Sequence, residues 1–332
     1  MTPYEEIARI VSPKMADVLY APVDPAITEQ IDRTKEWLDD SSNMVLTLSD
    51  NRYPRQLLEI ADPPLILYVK GRVELLTSPS IAIVGSRNAT TQGRLDAEEF
   101  AHSLSDTGLT IVSGLALGID TAAHEGGLKG RGSTVAVIGT GADIVYPARN
   151  RELAHRIANE GCIISEFPLG SGPVASNFPR RNRVISGLSG GILVVEAAAR
   201  SGSLITAKAA IDQGRDVFAI PGSIHSPLSR GCHELIRQGA KLVESSQDIL
   251  EELKHFQDIV VNQSSGERAE DEFSDEQKLI LAQMGYDPVD ADILSERCDM
   301  DAASLSVELL NLELSGNVES LPGGFYRRLA VS

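Results

Sequence analysis

Several things are scarce in this sequence, and each scarcity closes a class of function. Its 332 residues hold three cysteines, Cys162, Cys232 and Cys298, odd in number and far apart. They make no CxxC pair and no disulfide framework, so a reduced cytoplasmic chain without a zinc site is expected. No stretch approaches the roughly 18 consecutive apolar residues that a membrane helix needs. The N-terminus, MTPYEEIARI, has neither a basic n-region nor an apolar h-region. Membrane-spanning and secretory readings are set aside. The six histidines form no HExxH, no serine lies in GxSxG, and no glycine precedes Lys-Ser or Lys-Thr in a P-loop frame.

Positive charge is also in short supply, with 30 Lys and Arg against 47 Asp and Glu. The deficit lies at the two ends. Residues 1–44 hold 9 acidic and 4 basic side chains, and residues 251–332 hold 18 and 6. The middle, 45–250, holds 20 of each. Phosphate binding depends on local potential rather than the whole-chain sum. A neutral body between acidic ends can still carry a basic groove, although indiscriminate duplex binding is disfavoured.

Residues 5–38 read as short helical segments broken by Pro13, Pro22 and Pro25, with Trp37 as the one large anchor. A segment of that size has no core of its own and must dock on its neighbour. A linker is expected near Ser41-Ser42-Asn43. From residue 65, apolar β-branched runs alternate with helix-length amphipathic segments. The runs are Leu65–Val69, Ile81–Val84, Leu109–Val112, Thr134–Ile138, Cys162–Ser165, Ile192–Val195 and Val217–Ile220. The helical patterns fall at 91–106, 119–129, 149–159, 203–213 and 231–238. Such alternation predicts an α/β domain, a Rossmann-like doubly wound parallel sheet over 45–255. Residues 256–275 lose periodicity and read as a linker. Residues 276–332 predict three helices and a hairpin, a small winged-helix-like domain. Its third helix, Asp301–Leu314, contains Glu308 and Glu313 and no Lys or Arg. A duplex reader needs cations there, so this domain is expected to bind protein or serve as a lid.

In a doubly wound sheet, ligands sit beyond the carboxyl ends of the strands, where helix N-termini present free N–H groups. Those ends carry Gly85-Ser86-Arg87, Ser113-Gly114, Gly139-Thr140-Gly141, and Glu196 before Ser201-Gly202-Ser203. Any one glycine is explained by a tight turn. Four such ends together suit a phosphate, with Arg87 supplying charge. A dinucleotide fingerprint fails, since Ile144 stands where a third small residue belongs and no acidic residue awaits a ribose. No tightly bound cofactor is expected.

The most informative stretch is Ser176-Asn177-Phe178-Pro179-Arg180-Arg181-Asn182-Arg183, read as a loop. Arginine forks clamp phosphate, Asn meets base or sugar edges, and Phe178 can stack on an unpaired base. A solvated loop whose arginines pair with carboxylates is the plainer reading, which the aromatic, the amides and the nearby strand ends outweigh. Ser203 reads as a helix N-cap, with Lys208 one turn on as a candidate anion ligand. Asp120 and Glu196 are expected to order loops, and His124 to pack or to order the start of its helix.

These residues resemble a known family. IAIVGSR (81–87), IVSGLALGIDTAAH (111–124), YP (146–147), SEFPLG (165–170) and NFPRRNRVISGLS (177–189) carry the likeness. VVEA (194–197), SGSLITA (201–207), FAIPG (218–222) and LIRQGA (235–240) extend it. The set is similar to the DNA-processing protein DprA, or Smf, family. The resemblance implies a cytoplasmic, dimeric, non-catalytic protein that binds single-stranded DNA without sequence specificity. It further implies protection of strands during natural transformation and loading of RecA recombinase onto them. The implied DNA-binding residues are Gly85, Ser86, Arg87, Ser113, Gly114, Asn177, Phe178, Arg180, Arg181, Arg183, Ser203 and Lys208. The N-terminal segment, 1–44, then reads as a partial SAM-like helical domain. Gln92 and His233 depart from the family's usual aromatic and Asn, and the tail ending GGFYRRL (323–329) resembles a winged-helix extension.

The alternative is an enzyme, a phosphoribohydrolase on a related Rossmann-like fold that cleaves the base–ribose bond with Glu196 and Arg87. Such enzymes carry a PGGxGT-type loop, and the one Pro-Gly-Gly here is Pro322-Gly323-Gly324 in the tail.

Overall fold

Three helices that start on proline open the chain: α1 (Pro3–Val11), α2 (Pro13–Tyr20) and α3 (Pro25–Trp37). A fixed φ and a missing N–H suit the first turn of a helix. Asp24 caps α3 by accepting from the Ala26 N–H at 2.9 Å. The segment docks as its size requires, through Arg33 to Asp143 at 3.0 Å and the Trp37 ring edge-on to Tyr68. The computed structural model describes residues 3–21, 24–253, 274–284, 289–315, 317–321 and 324–328. The chain divides into two compact units, Met1–Lys254 and His255–Ser332. The expected linker, 256–275, lies outside the described residues except for its last two positions.

In the first unit the elements continue as β1 (Asn43–Thr47), α4 (Arg55–Leu58), β2 (Ile66–Gly71), β3 (Ser80–Gly85) and α5 (Thr91–Asp106). Then come β4 (Thr110–Ser113), α6 (Ile119–Lys129), β5 (Thr134–Val137), α7 (Arg151–Glu160) and β6 (Cys162–Ser165). The unit ends with α8 (Asn177–Leu188), β7 (Gly191–Val195), α9 (Gly202–Asp212), β8 (Asp216–Ala219), α10 (Arg230–Arg237), β9 (Lys241–Leu242) and a helix over 246–253, α11.

All nine strands form one sheet in the order β1-β2-β6-β5-β4-β3-β7-β8-β9. From β6 to β9 neighbours run parallel, and their buried, near-continuous apolar sequences follow from helices on both faces. Alternate residues of β3 divide between the two cores. Ala82 and Val84 pack with Val184, Ile185 and Leu188 of α8, while Ile81 and Ile83 pack with Ala97, Leu104 and Ile119 of α5 and α6. Two expectations are corrected at the edge. The run after residue 65 is antiparallel to β6, and the chain just after the expected linker at 41–43 is strand β1, antiparallel to β2. Leu46 and Leu67 lie buried in the core behind this added hairpin.

The second unit runs α12 (Asp275–Met284), β10 (Val289–Asp290), α13 (Ala291–Cys298), α14 (Ala302–Leu314), β11 (Val318–Leu321) and β12 (Phe325–Arg328). Its strands pair antiparallel in the order β10-β12-β11, the winged-helix arrangement. Leu294, Leu305, Leu309 and Leu312 centre its core. Among the described residues no helix is long and apolar enough to cross a membrane, and no group of acidic, His and Cys side chains is placed to hold a metal.

Candidate functional site

Strand order decides where a ligand fits. From β3 the chain steps outward through β4, β5 and β6, then returns to the far side of β3 as β7, β8 and β9. Connections that diverge from β3 and β7 leave a crevice beyond their carboxyl ends. A cleft of about 380 Å³ lies there. Gly85, Ser86 and Arg87 line it from the end of β3, Ser201–Ser203 from the start of α9, and Phe178, Arg181 and Asn182 from α8.

Residue size shapes the strand ends. A Cβ on Gly85 would stand 2.6 Å from Ile119 Cγ1, so glycine lets α6 close on the strand. Ser86 is buried, and its hydroxyl accepts from the Asn88 N–H at 3.2 Å. At the start of α9 the Ser201 hydroxyl accepts from the Ser203 N–H at 3.3 Å. This corrects the expected cap. The helix begins one residue earlier, at Gly202, and Ser203 sits within its first turn, its hydroxyl 2.7 Å from that of Ser201. The remaining first-turn N–H groups and the positive end of the helix favour an anion.

The segment expected as an arginine-rich loop is the first half of α8, which corrects that reading. Pro179 is tolerated because it falls in the first turn, where N–H groups lack helical partners. Helical period then sends the three arginines to different places. Arg181 turns inward and is 5% exposed. Its Nη1 donates to the carbonyls of Gly114 and Val137, and burial lowers its pKa to about 10 although Asp120 works to raise it. Burial conversely raises the Asp120 carboxyl, against the pull of Arg181 and of the Gly114 and Ala116 N–H groups it accepts from. Arg183 leaves on the other side, paired with Glu166 and with Asp62. Arg180 is exposed, its guanidinium carbon 5.6 Å from the Phe167 ring centre.

The aromatic wall is more open. Phe178 lies over Gly139, where a Cβ would come within 2.9 Å of its ring, and Asn177 Nδ2 donates to the Gly139 carbonyl at 3.2 Å. Tyr146 stands beside Phe178 with ring centres 5.7 Å apart, and Arg87 reaches over the Phe178 ring at 5.8 Å. Among the described residues neither Arg87 nor Arg180 enters an ion pair. The geometry therefore brings together Gly85, Ser86, Arg87, Phe178, Arg181 and Ser203. Ser113 instead spends its buried hydroxyl on the Ile83 carbonyl, and Gly114 makes room for Arg181. Lys208 is exposed on the side of α9 opposite Ser203 and Thr206, and does not line the cleft.

Sequence reasoning names Asn182 and Ser201 only within longer stretches and misses Tyr146 and Asn88 as site residues. Only the Tyr-Pro pair at 146–147 hints at Tyr146. Asp120 and Glu196 order loops as read, and His124, read as a packing or helix-ordering residue, also holds a loop N–H. Asp120 holds the 114–116 loop, and Glu196 accepts from the Thr90 N–H at 2.8 Å and the Thr90 hydroxyl at 2.6 Å. His124 Nε2 accepts from the Leu115 N–H at 3.2 Å, and its Nδ1 meets the Thr134 hydroxyl at 2.7 Å.

A family model described as DNA recombination-mediator protein A matches residues 44–254, and one described as DprA winged helix domain matches residues 265–324. Protein Smf of Escherichia coli is 41% identical over 295 residues, 88% of this chain and 79% of that protein. DNA processing protein DprA of Streptococcus pneumoniae is 50% identical over 208 residues, 63% of this chain and 73% of that protein. The X-ray structure of the Streptococcus pneumoniae protein aligns with a TM-score of 0.64 at 44% identity, covering 75% of this chain and 90% of that one. DNA processing protein A of Helicobacter pylori, whose structure describes a single-stranded DNA binding mode, aligns at 0.59 and 30% identity, covering 64% and 97%.

Proposed function

The chain belongs to the DprA (Smf) family, and from that premise we propose that its first unit binds single-stranded DNA in the cleft beyond β3 and β7. The observation that carries the reading is the Phe178–Tyr146 pair with Arg87 laid over it, beside the start of α9. The exposed Tyr146 ring beside half-buried Phe178 offers a face to an unpaired base and has nothing to stack on in a duplex. Helix N–H groups and Arg87 take the adjoining phosphate. Phosphate and stacking contacts carry little sequence information, so the binding is sequence-independent. The single-stranded DNA binding mode described for the Helicobacter pylori relative supports single-stranded DNA as the ligand.

The finer role follows the family. The protein coats strands in the cytoplasm during natural transformation, acts as a homodimer, and hands the strand to RecA recombinase without catalysing a reaction of its own. Anisotropy of a labelled poly-dT oligonucleotide against its duplex, over a salt series, tests the binding. Tight, salt-sensitive and single-strand-selective binding is expected, and equal affinity for duplex would overturn it. RecA assembly on strands coated with single-strand-binding protein tests the hand-over, with faster assembly expected when this protein is added.

A further inference from the structure

Among the described residues, helix α14 is apolar on two opposite sides and only one of them is used. Leu305, Leu309 and Leu312 point into the core of the second unit. On the other side, Val307, Leu310 and Leu314 are 58%, 54% and 79% exposed, and Ala303 is exposed in line with them. Steps of four, three and four residues set these side chains in a row at the spacing of a coiled-coil seam. Scattered exposed leucines are ordinary on a protein surface. A continuous seam on one helix is the mark of a missing partner.

Charge decides what that partner is. In a winged helix this position faces the DNA groove, and a groove-reading helix needs cations. Helix α14 has Glu308 and Glu313 and no Lys or Arg. Residues 274–332 as a whole hold eleven acidic and four basic side chains. Two of those four, Arg297 and Arg328, donate to the Gln283 and Leu281 carbonyls. Duplex phosphate would find repulsion here. A second copy would set like charge against like charge around a short seam.

We infer that α14 is the docking helix for a partner protein that presents a basic amphipathic helix. The partner's apolar side chains interlock with Val307, Leu310 and Leu314, and its Lys and Arg side chains meet the acidic surround. The inference is independent of DNA binding at the cleft in the first unit.

The test uses the full chain and a labelled 21-residue peptide with Leu at heptad a and d positions and Lys elsewhere, beside its Glu counterpart. The Lys peptide is expected to bind one to one, and the Glu peptide not to bind. Leu310→Ser, and Val307→Ser with Leu314→Ser, are expected to weaken the Lys peptide at least tenfold with an unchanged circular-dichroism spectrum. Unchanged affinity in these variants would overturn the proposal, because attraction would then be to net charge alone. Sedimentation showing a dimer that Leu310→Ser dissociates would also overturn it, making a second copy the occupant. So would loss of duplex binding in the same variant.

Discussion

Gly114 and Arg181 are shaped to one another. A Cβ on residue 114 would stand 2.6 Å from Arg181 Cζ, and the same guanidinium is held by the Gly114 carbonyl. An arginine tip on the surface would swing aside at little cost. This one is buried, with a second carbonyl, that of Val137, fixing it in place. Gly114→Ala should therefore destabilise the first unit by about 1–3 kcal/mol through overpacking. Arg181→Met should cost about 1–3 kcal/mol for each buried carbonyl, those of Gly114 and Val137, left without its donor, and it also removes the charge that favours ionised Asp120. Pairing it with Asp120→Asn should recover part of that loss. Urea unfolding followed by Trp37 fluorescence reads all three, because the chain's single Trp packs on Tyr68 in this unit.

His124 gives the unit a pH dependence of known sign. Burial lowers its pKa from 6.5 to about 3, and its Nε2 must stay unprotonated to accept the Leu115 N–H. A depressed folded-state pKa means that the unfolded chain binds the proton first. The contribution to stability is complete above pH 6.5 and is lost as the pH falls from there toward 3, by up to about 1.4 kcal/mol per unit. Asp120, raised by burial, acts in the opposite direction: its contribution is present in acid and is lost as the pH rises through its folded-state value. Urea midpoints between pH 7 and pH 4 should fall steeply in the parent protein. His124→Gln, which can still accept from Leu115, should flatten that slope.

The sheet was legible because parallel strands buried on both faces must be apolar throughout, as Ile81–Val84 and Ile192–Val195 are. Strand β1 was not. Asn43–Thr47 is a short stretch beside a Ser-rich turn, and only the partner strand at 66–71 makes it a strand. Helix α8 hid behind Phe178-Pro179 and its arginines, although Val184, Ile185 and Leu188 have helical spacing. Arginine reads by default as solvated. The cavity that accepts Arg181 is made by Gly114, 67 residues away along the chain, and no local pattern announces it. The cleft itself was legible as a set of strand ends, while its aromatic wall needed Tyr146 to be brought from another loop.

Glu196 is the carboxylate that the hydrolase alternative would use, and in the structure it is tied to the start of α5. Both of its oxygens are engaged by Thr90, and its carboxyl carbon lies where a Cβ on Gly93 would stand at 2.5 Å. Incubation with nucleoside monophosphates should release no free base by chromatography. Release that disappears in Glu196→Gln would establish the hydrolase alternative in place of the non-catalytic role.

Two arginines and two aromatics separate stacking from charge, and structure from binding. Phe178→Ala should weaken poly-dT binding by about 1–3 kcal/mol per stacked base while leaving the salt slope unchanged. Tyr146→Ala should act in the same direction, since the two rings share one wall. Arg87→Ala removes an exposed cation and should flatten the slope of log affinity against log salt by about 0.7 for each phosphate it no longer neutralises. Arg183 is held by Glu166 and Asp62, so Arg183→Ala should lower the urea midpoint and leave the salt slope as it was. A flatter slope in Arg183→Ala, with stability intact, would mean that its ion pairs open when DNA binds. Anisotropy titrations of the four variants between 50 and 300 mM salt (roughly the span over which counterion release is resolved) distinguish these outcomes.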